Sequence, residues 1–379
     1  MGIRYAATFI KTGRGCRGPD RFRRGWTFPH LMILPGAFCS FFWGAGPVIA
    51  WNAEGHMAVA QLAYQHLDPT VKAKCDALIA VPLSPGGSST NTFVTAACWA
   101  DDYRNELGTP TWQYINLPIS LDGTSYATFV PPPFDVVQAI QQCIATLQDP
   151  SATQAVQAVS LRYLIHCVAD IQQPLHCTAA FFAAQPNGDA GGNGFAITGT
   201  WSNLHSLWDS GGGYLSASLP RPLGAASQTA LNNKVAAIEA AHPYVRGAAM
   251  IPDPMTWARE GQELARSVTY AGITRNTAPS STYLQAARTS TEARIALGGQ
   301  RLAGLLNTLL EVKLSPFRAA NGDFGLSWNT VPGTVYHLEW TGDPARPDWK
   351  PLAGITATSS TAVFQEAATN GQRFYRLRK

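Results

Sequence analysis

Two short stretches hold the residues whose types and spacing could do chemistry. In Leu161 to Cys177, LRYLIHCVADIQQPLHC, His166 and Asp170 stand four residues apart and His176 follows, within a run that is otherwise mostly apolar. On a helix that spacing puts an imidazole and a carboxylate on one face, one turn apart. The stretch NLHSLWDSG repeats it with His205 and Asp209. Two helices could each present an imidazole and a carboxylate to a shared metal centre. A single H-x-x-x-D pair is more commonly a solvated or capped helix pair, so the repetition carries the weight.

The elements that must position these residues read as mostly helical. MAVAQLAYQHL and VKAKCDALIA have apolar residues at helical spacing, separated by the Asp68-Pro69 break. TFVTAACWADDYR runs helically into a polar end containing Asp101, Asp102 and Arg104, and TPTWQYINLPIS is extended or irregular between prolines. FDVVQAIQQCIATLQ reads as an amphipathic helix, and the next helix, starting near Ser151, carries the motif. NGDAGGNGFAI has the composition of a glycine loop leading into a strand-like piece. It lacks the P-loop lysine and the dinucleotide spacing, which favours packing beside a metal site. Further helices are expected at 228–241, 254–270 and 283–310. After Leu314-Ser315-Pro316 the text changes to short alternating strands such as TVYHLEW and RFYRLRK. The expected fold is mainly α: a helical domain over 51–312, then a small all-β module, a β-sandwich, over 316–379. That module has no cluster of His, Cys or carboxylate. Its ligand is unknown, with adhesion, sorting, glycan contact or an inert appendage all open.

Charge limits the partners. The formal net charge is +4, but the first 50 residues hold seven of the 28 Lys and Arg and one of the 24 Asp and Glu. The rest carries 21 basic against 23 acidic residues, so it has no basic excess for gripping a phosphate backbone. For an anionic substrate, metal ions would have to supply the positive charge. Residues 1–50 read as a leader: RFRRG, an apolar run from Leu31, then Val48-Ile49-Ala50 before a cleavage point that would make Trp51 the first residue. That implies a secreted or periplasmic protein. A membrane anchor is the alternative, opposed by Pro35, Pro47 and several glycines. Cleavage leaves five cysteines, Cys75, Cys98, Cys143, Cys167 and Cys177, an odd number in a compartment that permits disulfide bonds. Cys167 and Cys177 each follow a candidate histidine, so a thiolate ligand is one reading. A neighbour points about 100° away on a helix, and a buried or disulfide-bonded cysteine is the stronger one.

Of the eight histidines, His30 lies in the leader, His56, His166, His176 and His205 occupy candidate ligand positions, and His66, His242 and His337 read as ordinary surface or core residues. Trp51 followed by His56, WADDYR, H-x-x-x-D-x-x-x-x-x-H, and GGN followed by N-x-H-x-x-x-D together resemble the S-one/P-one nucleases. These are the fungal single-strand and plant type I zinc nucleases, with zinc-dependent phospholipase C as a distant relative. The resemblance covers Trp51 to about Leu310. It implies a helical fold with three Zn2+ ions in a trinuclear cleft. One zinc would take the free amine and carbonyl oxygen of Trp51, His56, and a bridging Asp170. The second would take Asp101, His166 and Asp170, and the third His176, His205 and Asp209. Clustered divalent ions both generate hydroxide and neutralise the phosphoryl oxygens. The resemblance further implies that Asp101 orients or deprotonates the attacking water and that Arg104 stabilises the transition-state oxygens. The third zinc would stabilise the leaving 3′ oxygen, giving 5′-phosphate products.

One position departs from the pattern. Trp112-Gln113-Tyr114-Ile115-Asn116 has glutamine where the family has a histidine ligand. An amide oxygen is a weaker zinc donor than imidazole: Gln113 could coordinate weakly, be replaced by water, or leave the site partly depleted. Tyr114 and Asn116 match the positions that stack and hydrogen-bond a nucleobase, a mode suited to single strands, although Tyr114 could simply pack the cleft wall. The expected function is a zinc-dependent endonuclease on single-stranded RNA and DNA, with 3′-nucleotidase activity, and no stable protein partner is implied. A phospholipase C-like hydrolase is a rival, opposed by the short Trp51 to His56 spacing, by Asp209 in place of glutamate, and by Arg104. A metal-depleted binding protein, disabled at Gln113, is the rival from another class.

Overall fold

The computed structural model describes residues 51–84, 91–149, 151–245, 253–330, 333–358, 361–367 and 372–378. The expected leader and its cleavage site at Ala50 lie outside these residues. The chain begins with α1 (Ala53–Gln65), N-capped by the Asn52 side chain, and α2 (Pro69–Ile79), which has proline at its first position. The third helical segment is in two parts. A 3₁₀ turn at Thr95–Cys98 passes into α3 (Trp99–Leu107), which ends at Gly108 in the left-handed conformation, φ 66°. Strand β1 (Leu117–Ser120) follows, then α4 (Val136–Gln148), opened by a capping box between Asp135 and Gln138.

The central element is α5 (Gln154–Asp170), capped by Thr153 and buried at nearly every position from Ala158 onward. Burial on all sides explains why its sequence reads as an apolar run rather than as a stripe. It stops at Ile171, and Pro174 starts a separate 3₁₀ turn, Pro174–His176, that leads into β2 (Thr178–Phe181). Strands β1 and β2 pair in parallel, Leu117 opposite Thr178 through Ser120 opposite Phe181. The glycine loop forms no strand, only an isolated bridge between Ala196 and Asn203. Next come α6 (Leu204–Asp209), α7 (Ala225–Ala241), α8 (Pro254–Leu264) with a π turn at Ala265–Thr269, and α9 (Ser281–Leu309).

Two apolar clusters flank the site. One gathers Trp51, Trp99, Leu164, Val168 and Leu302 around α1, α5 and α9, and the other gathers Leu175, Phe195, Leu204, Trp208 and Tyr283 around α6. Buried guanidinium groups lock the far end of α5. Arg294 donates to the Gln172 and Ile171 carbonyls at 2.9 and 3.3 Å, and Arg301 to the Gln172 side chain at 3.1 Å, with Glu260 balancing both charges. These bonds satisfy carbonyls that a helix terminus leaves unpaired. The last part of the chain is all β: sheet β3 (Ser315–Arg318), β4 (Phe324–Asn329), β7 (Thr361–Glu366) and sheet β6 (Lys350–Thr356), β5 (Val335–Thr341), β8 (Phe374–Arg378). They enclose a core of Leu326, Trp328, Tyr336, Leu338 and Tyr375. No helix among the described residues is long and apolar enough to cross a membrane.

Cys75, Cys98, Cys143, Cys167 and Cys177 are all buried free thiols, the buried one of the two readings the sequence left open. Cys167 and Cys177 donate to the carbonyls of Trp112 and Ile171 at 3.5 and 3.3 Å. Burial pushes the pKa of each thiol upward, which disfavours the thiolate that a metal needs. Close packing of α1 on α9 yields a stability test. A Cβ at Gly299 would lie 2.4 Å from the Leu62 Cβ. Gly299→Ala should cost about 1–3 kcal/mol, read as a lowered urea midpoint.

Candidate metal centre

Three separate elements deliver the polar side chains of the first group to one place. His56 comes from α1, Asp101 from α3, and His166 and Asp170 from successive turns of α5. His56 Nε2 lies 3.4 Å from Asp170 Oδ1 and 3.8 Å from Asp101 Oδ2. His166 Nε2 lies 3.0 Å from Asp170 Oδ2 and 3.6 Å from Asp101 Oδ1. The His56 and His166 rings stack with centroids 4.2 Å apart. Ligand atoms of His56, Asp101 and His166 fall within 4.8 Å of one another, with Asp170 against both histidines. His176, from the 3₁₀ turn, joins His205 and Asp209 of α6 in a second group of the same size. His176 Nδ1 to Asp170 Oδ1, at 3.9 Å, links the two groups.

The imidazoles are aimed by main-chain carbonyls. His166 Nδ1 bonds to the Ala97 carbonyl at 2.7 Å, His176 Nδ1 to that of Gln113 at 2.7 Å, and His205 Nδ1 to that of Gly191 at 2.6 Å. A donor at Nδ1 fixes the tautomer and leaves the Nε2 lone pair pointing inward. The Gly191 contact gives the glycine loop its physical reason. Gly191 has φ 64°, and a Cβ there would sit 2.4 Å from the Leu175 carbonyl oxygen.

The groups fit a cation. His56, His166, Asp170 and His176 are fully buried, yet both ring nitrogens of His56, Nε2 of His176 and Oδ1 of Asp170 lack a hydrogen-bond partner, while His166 Nε2 and Asp170 Oδ2 face each other at 3.0 Å. Buried polar atoms are rarely left so, and nitrogen plus carboxylate donors at this spacing suit a zinc-like ion. Burial and neighbouring imidazoles push His56 and His176 well below the usual histidine range. For His166, burial acts downward, but the Asp170 and Asp101 carboxylates outweigh it and hold the pKa up. Burial raises Asp101, Asp170 and Asp209.

The remaining candidates lie nearby in different states. Gln113 is buried and its amide touches Asp101 and Arg104. Trp51 is fully buried; its indole donates to the Ala169 carbonyl at 3.0 Å, while the Asn52 N–H donates to the Asp209 carbonyl at 3.1 Å. These two bonds tie residues 51 and 52 to α5 and α6, the helices that carry Asp170 and Asp209. Tyr114 and Asn116 are half-buried on the segment leading into β1. His66 pairs with Glu239 and stacks on Tyr244, and His242 faces Glu292 at 3.5 Å, outside both groups. Two supporting contacts had no signal in the spacing. Gln173 donates to Asp209 Oδ1 at 2.8 Å while accepting from the Leu175 N–H, and Arg221 donates to Asp102 Oδ1 at 2.9 Å.

Metal uptake should therefore release protons. With its pKa held above neutrality, His166 is protonated at pH 7 without a cation, and coordination requires the neutral ring; His56 and His176 are already neutral and contribute none. Zinc titration calorimetry at pH 7, repeated in buffers of different ionisation enthalpy, should show release of about one proton or more. Affinity should rise as pH rises from 7 toward 9.

The profile of the S1/P1 Nuclease family matches residues 51–311. Nuclease S1 of Aspergillus oryzae is 28% identical over 191 residues, 48% of this chain and 60% of that protein. The match thus spans less than two thirds of that relative. Endonuclease 3 of Arabidopsis thaliana is 26% identical over 72% of this chain and 92% of its own length. Nuclease PA3 of Penicillium sp is 27% identical over 68% and 97%.

Proposed function

The chain belongs to the S1/P1 nuclease family, and we propose that it is a zinc-dependent phosphodiesterase cleaving single-stranded RNA and DNA to 5′-phosphate products, with 3′-nucleotidase activity. One observation carries the reading: two buried groups of imidazoles and carboxylates with unmatched donor atoms, joined through Asp170. The remainder of the helical domain holds no basic excess to bind a polyanion. Within 51–312 there are 13 Lys and Arg against 18 Asp and Glu, so affinity for phosphate must come from bound cations.

We assign three ions to the groups. Trp51, through its amine and carbonyl oxygen, His56 and the bridging Asp170 would hold one; Asp101, His166 and Asp170 the second; His176, His205 and Asp209 the third. Zinc, when bound, supplies positive charge to an anionic phosphodiester and makes water a usable nucleophile near neutral pH. Asp101, at the entrance to the first group, orients water and accepts its proton. Arg104, one turn along α3, presents its guanidinium to the phosphoryl oxygens, where charge grows in the transition state. Tyr114 offers a ring for a base to stack on, and Asn116 an amide for the base edge. Stacking of this kind requires an unpaired base, which selects single strands.

The Trp51 amine becomes available only when a leader is removed, which ties activity to export and processing after Ala50. Protein beginning at Trp51 should release 5′ nucleotides from single-stranded DNA and RNA. A chelator should abolish the release and zinc restore it, with no choline phosphate from phosphatidylcholine. One alanine added before Trp51 should lower turnover about tenfold or more. Choline phosphate release would point to a phospholipase instead, and inactivity on all three substrates to a binding protein.

A further inference from the structure

Gln113 stands where the resemblance places an imidazole ligand, and its surroundings leave its side chain one orientation. The residue is 2% exposed. Its Nε2 donates to Asp101 Oδ1 at 3.0 Å, and its Oε1 accepts from the Arg104 guanidinium at 3.4 Å. An ionised carboxylate only accepts and a guanidinium only donates, so a flipped amide would set acceptor against acceptor and donor against donor. The one strong metal-donor atom of the amide, its oxygen, is therefore directed at a cation already in the protein. The main-chain carbonyl of the same residue accepts from His176 Nδ1 at 2.7 Å.

We propose that Gln113 is a positioning residue and not a metal ligand. Its amide ties Asp101 to Arg104, and its carbonyl aims His176, so a single residue sets the first metal group, the phosphate-binding guanidinium and the second metal group relative to one another. This inference rests on the reading of the two groups as metal sites. It implies that the ion beside Asp101 has one protein donor fewer than an imidazole at 113 would provide, leaving more of its coordination to solvent and substrate.

The test compares wild type with Gln113→Ala, Gln113→Leu and Gln113→His. Equilibrium dialysis counts ions, visible absorption of the Co2+-substituted protein reports coordination, and kcat and KM are measured on a single-stranded oligonucleotide. Gln113→Ala should bind as many ions as wild type with the same Co2+ spectrum, while kcat falls about 10-fold to 100-fold and KM moves little. Gln113→His, which can coordinate, should shift the Co2+ spectrum and so demonstrate that a ligand at 113 is visible. All variants keep the carbonyl that holds His176, so the second group is an internal control. Loss of an ion or of the wild-type spectrum in Gln113→Ala would overturn the proposal, as would an unchanged kcat. Should Gln113→Ala fail to give a cooperative thermal melt, Gln113→Leu, close in volume and without a donor, answers the same question. A wild type that takes up no ion would defeat the metal-site reading itself, before any variant is compared.

Discussion

The burial of unmatched donor atoms is the constraint on which the rest of this molecule turns. His56, His166, Asp170 and His176 sit at zero exposure, and apart from the His166–Asp170 contact their inward-facing atoms have no hydrogen-bond partner. Each such atom costs on the order of 1–3 kcal/mol, and a buried carboxylate costs more. A fold tolerates this only if the surrounding structure leaves the groups no cheaper arrangement and a cation offsets the penalty. The two apolar clusters supply the first condition by fixing α1, α5 and α6 around the groups. The guanidinium clamp of Arg294 and Arg301 at the end of α5 keeps Asp170 and the turn to His176 in place.

Organisation around that constraint explains the division of labour between regular and irregular backbone. Helix α5 can deliver His166 and Asp170 to one face, but it cannot also deliver His176 to the neighbouring group, because ten residues along the same helix would carry it well past the site. Pro174 ends the possibility of continuation, and the short turn brings the third imidazole back. The 3₁₀ turn at Thr95–Cys98 has a comparable role: its Ala97 carbonyl is the acceptor that orients His166.

Much of this was legible in the sequence, for particular reasons. The H-x-x-x-D pairs on α5 and α6 were readable because helical periodicity converts spacing directly into direction. Asp101 and His56 were readable only through the ordered set of motifs, since nothing in their local spacing brings α1 and α3 together. The helix starts at Asp135, Thr153 and Ser280 follow from capping chemistry and were placed within a few residues. The parallel pairing of β1 with β2 was not readable, because four-residue strands carry too little alternation. Gln173 and Arg221 were also silent, since their contacts depend on distant segments meeting. Export left disulfides open as a reading of the five cysteines, but a count carries no information on distance, and the five thiols are buried and free.

The acceptors that aim His166, His176 and His205 belong to Ala97, Gln113 and Gly191, and all three are main-chain carbonyls. A substitution can alter a side chain but cannot delete a peptide oxygen. The orientation of the imidazoles is thus set by the path of the backbone rather than by side-chain identity at these three positions. Position 113 illustrates the freedom this gives: its side chain can change chemical class while its carbonyl goes on serving His176.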